Sequence, residues 1–576
     1  MKYLTRISVL ALIAAMCLAV PGGNPKEEFR GVWLSTVANI DWPESRLDPE
    51  AKKQADLIRY LDLMKETGIN ALVFQVRPSC DAMYPSPYEP WSYWFSGTQG
   101  EGPAADSLWD PLAFAVEEAH KRGMELHAWV NPYRAVVNPL WADSAGYLSD
   151  RHISRQRPDW LLKFSSVCIL DPGKAEVRDY ITKIFMDIVT RYDIDGLHMD
   201  DYFYPYSPIK NEDSLTFAEE SRGFTDLHDW RRDNINLLVA RVADSIRQVK
   251  PWVKWGISPF GIYKPGVPKG IEGFDAWSVL YCDPLAWLEA GTVDYITPQC
   301  YWPFGGGQDY GTLIPWWAGE AKKHKRHFYP GQALYRAASD KFPVGEIPRQ
   351  VRMNRQTEGC QGSIYFTANN FFKNPKNTTD SLRLDLYATP ALWPVFDHKK
   401  SKPLAPPAVF AERSSQDVTL SWESGPGAWG YVVYRSRTQH DLISDPASIL
   451  AVLPAEGSSY RDETSEQWFY AVTALNDYKL ESRPGRAVME FVVPQRPVYG
   501  AQEKCPWLVF KWNPYAGADD YHIQVAADKD FSFIVYEERL LSKTRLNKTL
   551  PRGLTYYWRV KANNTENWSP VWTFVR

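Results

Sequence analysis

Between Phe29 and Phe396 two kinds of segment alternate: short runs rich in β-branched and aromatic residues, and longer runs whose apolar positions recur at helical spacing. This alternation predicts a parallel sheet wrapped by helices, because each parallel crossover needs a helix to carry the chain back. Strands are expected at 29–36, 70–78, 125–134, 196–205, 254–260, 295–302, 327–332 and 363–367, the complement of a (β/α)8 barrel. Helical segments at 51–67, 111–122, 174–192, 227–249 and 283–290 lie between them. Gly68, Gly123 and Gly291 stand where helix C-terminal glycines belong.

The pattern changes past Asp397. Lys399-Lys400-Ser401-Lys402-Pro403 and Ala405-Pro406-Pro407 read as a polar, proline-stiffened linker over 399–406. After it come short strand patterns at 418–422, 430–434 and 468–472, repeated in the same order at 508–512, 520–525 and 555–560. The expected architecture is therefore a TIM barrel over 29–398 followed by two small all-β sandwiches, over 407–492 and 494–576. Both sandwiches resemble fibronectin type III domains.

In a parallel barrel, chemistry sits where the strands end, and residues of one parity face the lumen. On the fourth strand, Asp195-Gly196-Leu197-His198-Met199-Asp200-Asp201-Tyr202 turns Leu197 and Met199 outward and His198 and Asp200 inward. Two carboxylates beside Tyr202, Phe203, Tyr204 and Tyr206 offer an acid, a charge stabiliser and rings to stack on a sugar. Asp200 is expected to stabilise charge. Asp201, its pKa raised by burial and by its neighbour, is expected to donate the proton. By the same parity Gln75 and Arg77, then His127, Trp129 and Asn131, then Thr297, Gln299 and Tyr301 face inward. The loop after strand two adds Asp81 and Glu89, Glu89 being a rival general acid, with Trp91, Tyr93 and Trp94 as a stacking platform.

Composition narrows the field. The chain has 576 residues with 44% hydrophobic content, enough for a large core, and a formal charge of −4 with no Lys/Arg run long enough to suggest nucleic acid as a partner. Lys2 and Arg6, the apolar run 7–20 and Pro21-Gly22-Gly23 form a secretory signal peptide over 1–23. An exported protein, periplasmic, cell-surface or extracellular, is expected. Cys17 is a candidate for lipid attachment, but Met16 precedes it where a small residue is usual, and cleavage near Ala19 is favoured. No later stretch reaches the roughly 20 apolar residues of a membrane span. The six remaining cysteines show no C-x-x-C and no zinc spacing. No cofactor is expected, and no metal: His127 and His198 would need a third ligand such as Asp200, and hydrogen-bonded core is the favoured reading. Neither G-x-S-x-G, a P-loop nor G-x-G-x-x-G is present.

Phe29-Arg-Gly-Val-Trp-Leu34, Val76-Arg77-Pro78 with Asp81, Tyr84 and Glu89-Pro-Trp-Ser92, His127-Ala-Trp-Val-Asn-Pro-Tyr-Arg134 and the run from Asp195 to Tyr206 together resemble the glycosyl-hydrolase-like family related to family ten. That resemblance implies a (β/α)8 barrel acting on bacterial glycans such as peptidoglycan strands. It marks Asp81, Glu89, Asn131, Asp200 and Asp201 as the working set, with Arg77, Gln299 and Tyr301 as substrate contacts. The seventh strand ends in Gln332 where family ten proper has a nucleophilic Glu, so a covalent route through that strand is not expected. The fourth-strand run is also similar to the D-G-x-D-x-D-x-E of family eighteen chitinases, which use the substrate's N-acetyl group as nucleophile. Here His198 and Tyr202 replace the second Asp and the final Glu. The expected activity is hydrolysis of glycosidic bonds in an N-acetylhexosamine-containing glycan; a non-catalytic glycan binder and a surface adhesin are the competing classes.

Overall fold

The strand pattern is realised as one parallel sheet of nine segments: β1 (Phe29–Leu34), β2 (Ala71–Arg77), β3 (Glu125–Val130), β4 (Gly196–Met199), β5 (Lys254–Ile257), β6 (Tyr295–Ile296), β7 (His327–Phe328), β8 (Gly331–Gln332) and β9 (Gly362–Phe366). In this computed structural model β7 pairs with β6, while β8 pairs with β9 and β9 with β1. Only Tyr329 and Pro330 separate β7 from β8, so these are two halves of one seventh strand, interrupted by a proline that has no N–H for the ladder. The ring closes through it, and the expected (β/α)8 barrel results. The structure describes residues 24–576 apart from 105–106, 108, 139, 141–146, 400, 415, 441, 488–490 and 516; the expected signal peptide over 1–23, with Cys17, lies outside the described residues.

Helices α1 (Glu50–Thr67), α2 (Pro111–Lys121), α3 (Ala175–Arg191), α4 (Leu227–Val249), α5 (Pro284–Ala290), α6 (Tyr310–Lys323) and α7 (Glu346–Gln356) cover the outside. On α3 the buried Val177, Ile181, Ile184, Phe185 and Ile188 recur every three or four residues and form the stripe laid on the sheet. The Asp110 carboxylate accepts from the N–H groups of Leu112 and Ala113 at the start of α2, with Pro111 at its first position. Strand parity separates two cores. Leu126, Ala128, Leu197 and Met199 pack outward under the helices, whereas Phe29, Trp33, Trp129, Tyr295 and Tyr329 fill the lumen.

Beyond the barrel, strands Val409–Arg413, Val418–Trp422 and Ser459–Asp462 pack on a sheet of Gly430–Ser436, Ile449–Pro454, Phe469–Leu475 and Gly485–Arg486, enclosing Leu420, Trp422, Val433 and Val472. A second pair of sheets, three-stranded and five-stranded, encloses Phe510, Trp512, Trp558 and Phe574. These are the two small all-β units. The first covers the barrel floor, where Trp393, Trp429, Val432 and Phe469 share one core with lumen residues. Gly123, at the end of α2 with φ 64°, is required there: a Cβ would lie 2.6 Å from the Val452 carbonyl oxygen of the sandwich.

One register detail departs from strict alternation. Gln75 lies opposite Trp129, but Arg77 lies opposite Val130, so a bulge at Val76 moves Arg77 from the lumen face to the outer face.

Candidate active site

A pocket opens at the C-terminal end of the barrel, lined by residues from nearly every strand. Trp33 of β1, Gln75 of β2 and Trp129 of β3 form one wall; Asp200 and Tyr202 follow β4, Ser258 follows β5, and Gln299 and Tyr301 follow β6. Arg134 and Phe366 complete it.

Asp200 is the one acidic residue among those lining the pocket. Its Oδ2 accepts from Trp129 Nε1 at 3.0 Å, and Asn131 Nδ2 reaches Oδ1 and Oδ2 at 3.1 and 3.2 Å. Asn131 is fixed in turn, because its Oδ1 accepts from the Arg134 backbone N–H at 2.9 Å. Arg134 donates to the Pro78 carbonyl and lays its guanidinium over the Tyr202 ring at 4.6 Å. Burial pushes the Asp200 carboxyl up to about 6, with Arg134 and the neutral donors pulling the other way.

Asp201 points the other way, as adjacent strand residues must. It is fully buried and lies behind the pocket wall. Tyr206 donates its hydroxyl to Oδ2 at 2.6 Å, while Oδ1 is buried without a hydrogen-bond partner. Burial, then the nearby Asp200 charge, raise Asp201 to about 7 against the pull of Tyr206 and Gln299. Tyr206 is 39% exposed and lines a second depression, which shares Arg134 and Tyr202 with the pocket.

Of the residues expected from sequence, Asp200, Tyr202, Gln299 and Tyr301 line the pocket, Asn131 supports it, and Asp201 backs it. The loop after β2 is not brought there. Because of the Val76 bulge, Arg77 enters the layer between sheet and helices, where its Nε and Nη2 hold Glu89 at 2.8 and 2.6 Å and Tyr180 of α3 donates to the same carboxylate at 3.2 Å. Both side chains are fully buried. Glu89 is therefore a buried carboxylate paired with Arg77, and neither residue lines the pocket. Asp81 is buried too, accepting from Ser79 N–H and Gln99 Nε2 at 3.1 and 3.2 Å, and burial raises it to about 6. Trp91 packs on Phe95 at 5.0 Å and against Gly102, away from the pocket. His127 and His198 are hydrogen-bonded in the core: the Tyr295 hydroxyl lies between the two rings, 2.8 and 3.2 Å from their Nδ1 atoms.

Sequence reading passed over Trp33 and Ser258. Both carry the signal used elsewhere, a lumen-parity position at the end of a predicted strand. Gln75 was recognised as inward but not as an anchor: its Oε1 accepts from the Thr36 and Val37 N–H groups at 2.9 and 2.8 Å and pins the loop after β1. Its Nε2 remains buried without a partner.

Residues 28–342 match the model of the family described as glycosyl hydrolase-like 10. Over 409 residues the chain is 39% identical to the glycosyl hydrolase YngK of Bacillus subtilis, covering 68% of this chain and 79% of that one. Over 400 residues it is 35% identical to the glycosyl hydrolase DigH of Escherichia coli, covering 62% and 90%. The glycoside hydrolase domain of PgaB (BpsB) from Bordetella bronchiseptica is similar at a TM-score of 0.42 and 14% identity, over 63% of this chain and 99% of that domain.

Proposed function

The chain belongs to the glycosyl hydrolase-like 10 family and is a glycoside hydrolase; from that premise we propose that it cleaves an extended, N-acetylhexosamine-containing glycan of the bacterial cell wall, with Asp200 as the charged carboxylate at the reacting carbon and Asp201 as the proton source. The reading rests on one observation: a single carboxylate faces the pocket. A covalent route needs two carboxyl groups flanking the bond, about 5 Å apart. Gln332, at the end of the seventh strand, is buried against Gln350 instead. One pocket-facing acid suits a substrate-assisted reaction, in which the sugar's acetamido oxygen attacks C1 and Asp200 orients and stabilises it. The unpartnered Gln75 Nε2 offers a donor to a sugar oxygen.

Proton delivery runs through Tyr206. With Asp201 protonated the shared hydrogen bond reverses and Asp201 donates to the Tyr206 oxygen; the glycosidic oxygen then takes the Tyr206 hydroxyl proton as the C1–O bond breaks, and the Asp201 proton passes to Tyr206. Tyr206 lies in the adjoining depression with Tyr204 and Pro205, where the next sugar of a chain would stack. After β6, Trp302 and Arg336 line a further depression, next in the chain to the pocket residue Tyr301, whose carbonyl accepts from Arg336 at 3.0 Å. Further depressions beside the pocket residues Tyr202 and Tyr301 support a polymer as substrate. The leader expected over 1–23 supports export to the compartment where such polymers lie.

The test is to incubate the purified protein and its Asp200→Asn variant with intact and peptide-stripped peptidoglycan glycans and with chitin oligomers, reading soluble sugars by mass spectrometry. Product from the wild type alone, with a mass naming the new reducing end, is expected. Equal retention on one polymer with no product from either protein would overturn the proposal.

A further inference from the structure

A chain of buried polar groups crosses the barrel along its axis, from the pocket to the floor. At the top, Trp33 Nε1 lies 3.2 Å from His198 Nε2, and Ser258 Oγ lies 3.1 Å from the same nitrogen. Below, Tyr295 OH is 3.2 Å from His198 Nδ1 and 2.8 Å from His127 Nδ1. His127 Nε2 then reaches Glu125 Oε2 at 3.1 Å. Room for this chain is made by two strand glycines: a Cβ at Gly196 would lie 2.5 Å from His127 Nδ1, and one at Gly256 would lie 2.0 Å from the Tyr295 ring.

Its direction follows from chemistry. An indole N–H only donates, so His198 Nε2 accepts, and the proton of that ring sits on Nδ1. That proton goes to the Tyr295 oxygen, leaving the Tyr295 hydroxyl to donate to His127 Nδ1. His127 therefore carries its proton on Nε2 and gives it to the Glu125 carboxylate, which accepts. Every group has one role, and the series is anchored only where Glu125 is ionised.

What keeps Glu125 ionised comes partly from the sandwich. Lys254 Nζ pairs with Glu125 Oε1. Lys479, in a turn of the first sandwich with φ 61°, sends its Nζ into the barrel floor, 2.6 Å from Asp195 Oδ1 and 3.8 Å from Glu125 Oε1. The Trp429 ring covers it at 3.9 Å. Asp195 also accepts from His120 Nε2 at 2.8 Å and from the Leu126 N–H. Two buried carboxylates thus face two buried lysines. Removing Lys479 leaves one negative charge in excess, and two imidazoles lie beside the floor carboxylates to take up a proton: His120, 2.8 Å from Asp195, and His127, 3.1 Å from Glu125.

We infer that Lys479 is a positioning residue for the pocket: by balancing the floor charges it sets the single tautomer series through His127, Tyr295 and His198 that orients Trp33 and Ser258 around the substrate. The first sandwich is then part of the catalytic unit and not a spacer. Burial holds both His127 and His198 below the ordinary imidazole range, in keeping with two neutral rings. The inference rests on the pocket being the catalytic centre, but its spectroscopic consequence does not depend on the glycan chosen.

The experiment uses the full chain labelled with 15N-histidine, as wild type, Lys479→Met, Lys479→Arg and Tyr295→Phe. Wild type is expected to show His198 protonated on Nδ1 and His127 on Nε2. Lys479→Met should convert His127 to imidazolium at neutral pH and lower kcat about tenfold with little change in KM, the cost of a misplaced pocket wall; Lys479→Arg should restore both. Should Lys479→Met not fold, Tyr295→Phe breaks the series at its centre and should give a His198 tautomer mixture with a similar loss of kcat. Unchanged His127 and His198 signals and unchanged kcat in Lys479→Met, whether or not His120 takes up the proton, would overturn the inference and leave Lys479 a clamp. So would unchanged kcat in Tyr295→Phe.

Discussion

The two ends of the barrel lumen each bury a pair of carboxylates and treat them in opposite ways. At the floor, burial opposes ionisation of Glu125 and Asp195, yet Lys254 at the first and Lys479 with His120 at the second outweigh it, and both groups fall below the ordinary carboxylate range. At the mouth, Asp200 and Asp201 meet the same burial with only neutral hydrogen-bond donors and the Arg134 charge, and they rise to about 6 and about 7. The compensated pair carries structure, while the under-compensated pair can exchange a proton near neutral pH. The Arg77–Glu89 pair in the helix layer belongs with the floor: it is fully buried, bidentate and matched.

The sharpest way to break the comparison is at the mouth. Asp200→Asn keeps the hydrogen-bonded shape but not the charge, and should lower kcat by about 10²–10⁴-fold, measured on whichever glycan gives product, while the protein stays folded. Next in size is Glu89→Gln, which strips the charge partner from a buried arginine. It should cost about 3–5 kcal/mol of stability in denaturant unfolding and leave kcat per folded molecule unchanged; a loss of activity with unchanged stability would return Glu89 to the chemistry.

A third test concerns pH. If Asp200 acts ionised and Asp201 protonated, kcat rises through about pH 6 and falls through about pH 7, and Asp201→Asn removes the falling limb along with most of the rate. The stability sign is opposite to that of the floor. A carboxyl raised in the folded state contributes fully below its unfolded pKa, near 3.9, and that contribution is lost as pH climbs through the folded value. Asp201→Asn should therefore be more stable than wild type at pH 8, by about 2–4 kcal/mol, and the gap should close toward pH 4. Calorimetry at both pH values decides it.

The family and the fold class were legible because they rest on local signals. Strand parity placed His198, Asp200, Gln299 and Tyr301 inward, and those positions do face the lumen or its mouth. The same rule misled at Arg77, since a bulge is one extra residue whose cause is the fit of a strand to its neighbours and leaves no mark on alternation. Glu89 followed Arg77 out of the site. Trp33 and Ser258 needed only the parity rule applied to two more strands.

By itself, then, the sequence determined the alternation of strands and helices that makes the barrel and the strand end where two acids stand together, because periodicity and strand ends are properties of neighbours in the chain. Only the tertiary structure decided which acids are paired with lysines and which face the pocket. That depends on what each carboxylate meets across space: Lys479 lies 284 residues from Asp195 in sequence and 2.6 Å from it in the fold. Whether a buried carboxyl meets a lysine or mainly neutral donors is what separates the floor acids, held low, from Asp200 and Asp201, held high.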